Sequence, residues 1–393
     1  MLTLIDGVDY ESRPVGGQLT FCKQLLKEFE PGEICIVGVN SSQEPVRQWF
    51  KKTVGGKSYD CFNLYTLSDK IKPIVPLRVM NFISIFLSRR AILKKANFPL
   101  LINLPEIMIA LKIFNWRHFS YFYIFHGAEN PLRLPRYNWG KWFARWFEHL
   151  HFKSLKSAKG ILVCADRKAI KVLLVRAKGT IKPELIVPFP TRYNDQLFKP
   201  PTKSDQDAFQ LHPKKKIFVS VGRINKVKGW ELLLDAFNIY RKNEENKNSF
   251  LVFVGDGEDR QLVEEKAEKY GISEHIKITG FLPEEAVRSY LWNADIFLVG
   301  SYVEGWSIAI LEALACGNNV VSTAVSGVND MIEEGINGFI CRDREPKKYA
   351  ELINIAVTDL KKPNKRSIEI ASYYRLSNLR QELIRIISCT RRI

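Results

Sequence analysis

Apolar runs of four to six residues alternate along the whole chain with stretches in which apolar positions return every three or four residues. A short unbroken apolar run suits a strand buried on both faces, and a helical repeat after each run supplies the crossover that parallel strands need. The first half offers strands at 2–5, 34–39, 100–104, 121–125, 161–164 and 185–187, with helices between them. The second offers strands at 217–221, 250–254, 276–279, 295–299 and 320–323, and helices at 230–242, 259–270, 284–292, 308–316, 347–358 and 374–388. The expected fold class is α/β, with two Rossmann-like, doubly wound parallel sheets.

The alternation breaks at 188–201, which runs from Pro188-Phe189-Pro190 to Lys199-Pro200-Pro201, followed by a polar run to His212-Pro213. Five prolines restrict this stretch without building a layer, so it is expected to be the linker, at 191–214, between a first domain at 1–190 and a second at 215–365. Two helical stretches of the first domain carry more than one reading. Residues 77–97 are apolar and end in Arg89, Arg90, Lys94 and Lys95; a helix covering the sheet with its basic end in water is the expectation, and an interfacial helix is the alternative. Residues 138–157 carry an aromatic stripe of Trp142, Phe143, Trp146, Phe147 and Leu150, expected to pack in the core or a domain cleft because Lys159-Gly160 and a strand follow and give it a sheet to cover; a membrane anchor is the alternative. Residues 98–116 are interrupted by Pro99, Pro105, Glu106 and Lys112, so they fall short of the roughly 20 apolar residues a spanning helix needs.

At 393 residues the chain has room for two cores. Its seven cysteines are scattered without a Cys-x-x-Cys pair, which points to a reducing compartment and away from a disulfide or metal framework. Acidic and basic side chains interrupt the first twenty residues, so no secretory signal is expected there and a cytoplasmic location is. Of the net charge of +17, residues 1–195 hold +15, from 30 Lys and Arg against 15 Asp and Glu. That half can attract anionic lipid, nucleic acid or an anionic acceptor, and no nucleic-acid motif supports the second of these.

The candidate chemistry lies in 295–317. Asp295 to Val299 suits a buried strand, Tyr302 to Trp306 a loop, Ser307 an N-cap, and 308–316 a short helix closed by Gly317. Glu304 then stands in the loop and Glu312 about a turn into the helix. The free N–H groups near Ser307, Ile308 and Ala309 lie between them, and such a helix start favours a phosphate. An anion site with a hydroxyl-binding carboxylate on each side suits a nucleotide sugar. Arg223 and Lys228 follow the strand at 217–221, on the loop over its carboxyl end, where open α/β sheets bind ligands. They offer cationic neutralisation of a leaving diphosphate. No Asp-x-Asp pair or histidine cluster offers a metal site in their place.

Glu304 and Glu312, with seven residues between them, resemble the Glu-x7-Glu signature of retaining glycosyltransferases of family 4, the group 1 transferases with the GT-B fold. The likeness continues through Val221-Gly222-Arg223 to Lys228-Gly229, Phe253-Val254-Gly255-Asp256-Gly257, Thr279-Gly280-Phe281-Leu282-Pro283 and Glu334-Gly335 to Phe339. It is close over 216–342 and looser over 1–200. The resemblance implies two domains facing a cleft, with a helix in 366–393 returning to the first. It implies that Arg223 and Lys228 grip the diphosphate without a metal and that Glu312 accepts bonds from ribose hydroxyls. Glu304 would lie by the transferred sugar, and Gly280, Phe281 and Leu282 by the base. Gly255 and Gly257 are expected to shape the turn beside the nucleotide rather than to cradle phosphate. In the first domain, Gly16-Gly17 resembles the family's glycine loop near the donor phosphate, with an ordinary turn as the alternative, and His126 stands where the family often keeps a histidine near the donor sugar.

Two departures bear on hinge geometry and subfamily: Gly317-Asn318-Asn319 replaces the family's usual Gly-x-Pro, and Pro188-Phe189-Pro190 its frequent Asn-Gly. The resemblance therefore implies a retaining, metal-independent transferase that uses a UDP- or GDP-sugar. Its acceptor would be a saccharide, lipid-linked at the cytoplasmic face of an inner membrane, in bacterial surface polysaccharide synthesis; the basic charge of the first domain separately offers an anionic membrane surface as a further partner. A transferase with a soluble acceptor, a catalytically silent GT-B partner protein and a basic nucleic-acid binder are the rival readings.

Overall fold

The expected alternation of strand and helix appears in the computed structural model, which describes residues 1–9, 17–40, 44–67, 75–96, 99–113, 120–126, 140–208 and 215–390. They form two units, Met1–Thr191 with Asn378–Ile393, and Arg192–Ser377.

In the first unit the chain runs β1 (Leu2–Ile5), α1 (Gly17–Glu28), β2 (Ile34–Asn40), β3 (Trp49–Val54), β4 (Lys57–Thr66), α2 (Leu77–Lys95), β5 (Leu100–Ile102), α3 (Pro105–Ile113), β6 (Tyr121–Phe125), α4 (Gly140–Leu155), β7 (Gly160–Val163), α5 (Arg167–Ala177) and β8 (Ile186–Pro188). The sheet order is β3-β4-β2-β1-β5-β6-β7-β8, parallel except for the antiparallel β3 at one edge. The β3–β4 hairpin is absent from the elements expected above. Its signal is nevertheless in the chain: alternation on both sides of Gly55-Gly56, which take φ of +56° and +80° in a two-residue turn. β1, β2, β5, β6 and β7 are buried along their length, which explains why they stand out as unbroken apolar runs.

The aromatic stripe of α4 corrects an expectation. Ala144, His151, Phe152 and Leu155 take the inward face, while Trp142, Phe143 and Trp146 are 88%, 55% and 62% exposed. Trp142 and Trp146 are one turn apart, and Ala144 lies halfway between them on the opposite side of the helix. Trp142, Phe143 and Trp146 therefore do not belong to the core, while Phe147 and Leu150 are half-buried.

The second unit adds α6 (Lys203–Ala208), β9 (Lys216–Val221), α7 (Trp230–Tyr240), β10 (Ser249–Val254), α8 (Arg260–Lys269), β11 (Ile276–Ile278), α9 (Glu284–Asn293), β12 (Ile296–Val299), α10 (Ile308–Ala315), β13 (Asn319–Thr323), α11 (Val328–Met331), β14 (Gly338–Cys341), α12 (Pro346–Asp359) and α13 (Lys365–Ser372). Its parallel sheet has the order β11-β10-β9-β12-β13-β14. The order reverses between β9 and β12, so the crevice at their carboxyl ends is the place where this architecture receives a ligand. A final helix, α14 (Leu379–Thr390), belongs to the first unit, where Arg380 Nε donates to Glu33 at 3.1 Å. Among the described residues no helix is long and apolar enough to cross a membrane.

Candidate functional site

The loops after β9 and β12 meet over the reversal point of the second sheet and enclose a pocket of about 430 Å³, its open mouth included. Its lining includes Arg223, Lys228, Gly300, Ser301, Glu304, Ser307 and Ala309.

Local chemistry fixes the β9 loop. The Asn225 side chain accepts from the backbone N–H of Lys228 at 3.1 Å, capping a tight turn over Lys226–Lys228. Gly229, at φ +64°, then passes so close to the β12 end that a Cβ would stand 1.9 Å from the Gly300 carbonyl oxygen. Glycine is required there for both reasons. The β12 end is held from the other side. Arg344 donates to Ser301 O at 2.7 Å and to Gly300 O at 2.8 Å, and lies 3.6 Å from the Tyr302 ring centroid. The Thr323 hydroxyl also donates to Ser301 O at 2.7 Å.

On this frame Lys228 Nζ donates to Glu304 Oε1 at 2.7 Å, and the Ser301 hydroxyl donates to the same oxygen at 2.6 Å. Glu304 is nearly buried, whereas Lys228 is about a third exposed and still reaches solvent. Arg223 Nε donates to Glu258 at 2.9 Å, with both side chains largely exposed. The two cations are thus held by carboxylates at the rim and floor of one pocket, each able to exchange that partner for an anion.

The helix start stands at the expected position. Ser307 occupies the N-cap of α10 but its hydroxyl makes no capping bond, so the first N–H groups are not satisfied by that side chain. Gly317, at φ +82°, ends the helix with bonds from its own N–H to Leu314 O and from Asn318 N–H to Ala313 O. Glu312 is in the helix, as expected, but it does not line the pocket, and neither do Ile308, Gly255, Phe281 and Leu282. The Glu312 side chain is partly exposed and, among the described residues, has no hydrogen-bond partner. Desolvation, with a smaller repulsion from Glu284, pushes its pKa up to about 8.

Gly255 and Gly257 are packing glycines. A Cβ at either would fall about 2 Å from the carbonyl oxygen of Gly222 or Ile224, so their lack of a side chain lets the β10 loop lie against the β9 loop. Gly280 bridges back to Gly255, and the Phe281 ring is exposed beside it while Leu282 packs on the core.

The first-unit residues form a separate group. Gly16 and the neighbour of His126, Gly127, lie outside the described residues, and Gly17 opens α1. His126 follows β6 with its ring edge against Phe21, centroids 5.3 Å apart, and its Nε2 is buried without a partner among the described residues. Burial lowers its pKa to about 4, so the ring is neutral at pH 7. Asp6 is a residue that the motifs pass over. Fully buried at the end of β1, it accepts from Gly7 N at 2.6 Å, from Cys22 Sγ at 2.9 Å, and from the Gln18 and Asn103 amides. It ties the start of α1 to β5, and burial raises its pKa. A polar residue directly after an apolar strand is the signal by which sequence could have found it.

Residues 202–371, the span that contains the pocket, match the family described as glycosyl transferases group 1. A phosphatidylinositol N-acetylglucosaminyltransferase subunit of Homo sapiens is 28% identical over 51% of this chain and 39% of its own length. The amylovoran biosynthesis glycosyltransferase AmsK of Erwinia amylovora is 30% identical over 34% of each chain. The matched stretches thus span about two-fifths or less of these curated relatives. The solved complex of Anabaena Alr3699/HepE with UDP shares the fold over 99% of this chain and all of its own, with a TM-score of 0.70 at 16% identity. The second unit thus carries the match to the glycosyl transferases group 1 family, on a chain whose fold is GT-B.

Proposed function

We propose that the chain is a retaining glycosyltransferase that moves a sugar from a UDP- or GDP-sugar to a saccharide acceptor, without a metal. The observation that carries this reading is the placing of Lys228, Glu304 and Arg223 in one pocket with the open start of α10, at the reversal point of the second sheet. A diphosphate entering the pocket offers Lys228 and Arg223 a stronger partner than a single carboxylate, because its charge is larger and its oxygens accept several charge-assisted bonds. Lys228 then leaves Glu304, whose freed oxygen can accept from hydroxyls of the transferred sugar and stabilise positive character at the anomeric carbon. As the bond from that carbon to the diphosphate oxygen breaks, the cations and the α10 N–H groups take up the developing negative charge. The acceptor hydroxyl attacks from the same face, and its proton passes to the departing phosphate oxygen, so configuration is retained. Glu304 needs no covalent role in this sequence.

Bacterial surface polysaccharide synthesis with a lipid-linked acceptor is the setting we favour. It is supported by the likeness to AmsK and by the basic charge of the first half of the chain. The test is a thermal-shift panel of uridine, guanosine, adenosine and cytidine diphosphates in EDTA, on wild type and Lys228→Ala. A ligand at 100 times its dissociation constant adds about 2.7 kcal/mol, a clear melting shift. One diphosphate is expected to shift the wild type and not the variant. If none binds, with or without magnesium, the reading fails. NMR of the product anomer then decides retention against inversion.

A further inference from the structure

α2 is apolar on two faces. Asn81, Ser84 and Ser88 are buried alongside the core residues Ile85 and Ile92, while Val79, Ile83 and Leu87, spaced one turn apart, face out and are between 40% and 50% exposed. The buried polar side chains are organised: Tyr65 OH donates to Asn81 Oδ1 at 2.6 Å, Asn81 Nδ2 to Glu106 at 3.1 Å, and Arg78 to Glu106 at 3.0 Å. A surface helix of a water-soluble fold usually turns one apolar stripe inward and a polar face outward, so a second, outward aliphatic stripe is the unusual feature here. α3 packs against α2 on one side and α4 on the other, so α2, α3 and α4 lie in one layer. α4 turns Trp142 and Trp146 outward from that same layer, and Phe143 is exposed beside them. On each helix the apolar residues stand toward the start, and exposed cations follow along the outer side: Arg90 and Lys94 on α2, Lys153 on α4, with Arg145 among the tryptophans.

Two outward apolar faces, one aliphatic and one tryptophan-rich, with cations beside them, match the order of a lipid surface, where acyl chains lie under anionic headgroups. Tryptophan favours that boundary because its ring is apolar and its N–H is polar. The +15 charge of residues 1–195 gives the long-range attraction. We propose that the outer faces of α2 and α4 dock on an anionic phospholipid bilayer, with Val79, Ile83, Leu87, Trp142 and Trp146 entering its headgroup boundary. This surface stands apart from the transfer reading and needs no nucleotide.

The test is co-sedimentation of the full chain with vesicles of phosphatidylcholine alone or with about one-third phosphatidylglycerol, whose anionic surface attracts the neighbouring cations. Wild type is expected to bind the anionic vesicles, with its tryptophan emission shifting to the blue. Trp142→Ser/Trp146→Ser and, separately, Ile83→Ser/Leu87→Ser are expected to cut binding by about tenfold or more. These positions are exposed, so the melting temperature of each variant is expected to match wild type, which separates a lost surface from a lost fold. Three results overturn the proposal: no binding by wild type, equal binding by both folded variants, or a wild-type dimer that the tryptophan variant converts to monomer.

Discussion

Glu312 gives the sharpest test of the nucleotide reading, through pH. Its carboxyl is desolvated on α10, repelled by Glu284, and without a hydrogen-bond partner among the described residues, which holds its pKa at about 8. At pH 7 about nine molecules in ten are then protonated at this site. If Glu312 binds the ribose by accepting from both hydroxyls, the ionised form is favoured, because it offers two acceptor oxygens and no donor. On that premise binding expels a proton, at about 1.4 kcal/mol at pH 7 and about twice that at pH 6, falling away above pH 8. Affinity for the nucleoside diphosphate is expected to rise almost tenfold per pH unit from 6 to 7.5 and to level off above 8. Calorimetry at pH 7 in two buffers of different ionisation enthalpy should show close to one proton released per ligand. The 2′,3′-dideoxy diphosphate is the control, since its phosphates titrate alike while its sugar has no hydroxyls to donate. Glu284→Gln should move the steep region to lower pH. If the dideoxy ligand releases as many protons and follows the same profile, Glu312 does not bind the ribose.

The other predictions follow the same geometry. Lys228→Ala should weaken a nucleoside diphosphate by about 100-fold, the loss of one or two charge-assisted bonds, and leave the parent nucleoside unchanged in competition binding. Gly229→Ala forces a methyl against the Gly300 carbonyl at φ +64° and should lower unfolding stability by about 3 kcal/mol in urea titrations, or abolish folding. His126 and His151 are held neutral by burial, at about 4 and about 3. Their folded pKa values lie below the unfolded one, so the unfolded state binds more protons in acid. Stability should fall as pH drops below about 6.5, approaching 1.4 kcal/mol per unit for each ring, and His151→Phe should remove one proton from that slope. Glu312 acts with the opposite sign, its contribution present at low pH and lost as pH rises through about 8.

The central strands and the donor-side motif are legible because their signals are local. An apolar run such as Phe250–Val254 is apolar because both its faces are covered, and the start and stop of α10 are written in Ser307 and Gly317. Gly222, Gly255 and Gly257 are visible as glycines, but the reason for Gly255 and Gly257 is not: each needs the absence of a side chain because another backbone passes within about 2 Å of where it would be. The β3–β4 hairpin escapes a search for unbroken apolar runs because its strands alternate at the edge of the sheet, with one face wet. The stripe on α4 misleads for a related reason. Periodicity shows that Trp142 and Trp146 share a face, and it does not say which way the face points.

Residues a few positions apart were enough to establish the α/β class, the succession of the central strands, the helix start at Ser307 and the cations and carboxylates of one candidate site. Packing between distant segments settled the rest: that Lys228 meets Glu304, that Arg344 fixes the end of β12, that Glu312 is half-buried without a hydrogen-bond partner among the described residues, and that α2 buries its serines and leaves Val79, Ile83 and Leu87 exposed. Those facts arise between stretches separated by tens of residues in the chain, where distance and burial are set by how sheets and helices pack rather than by any local propensity.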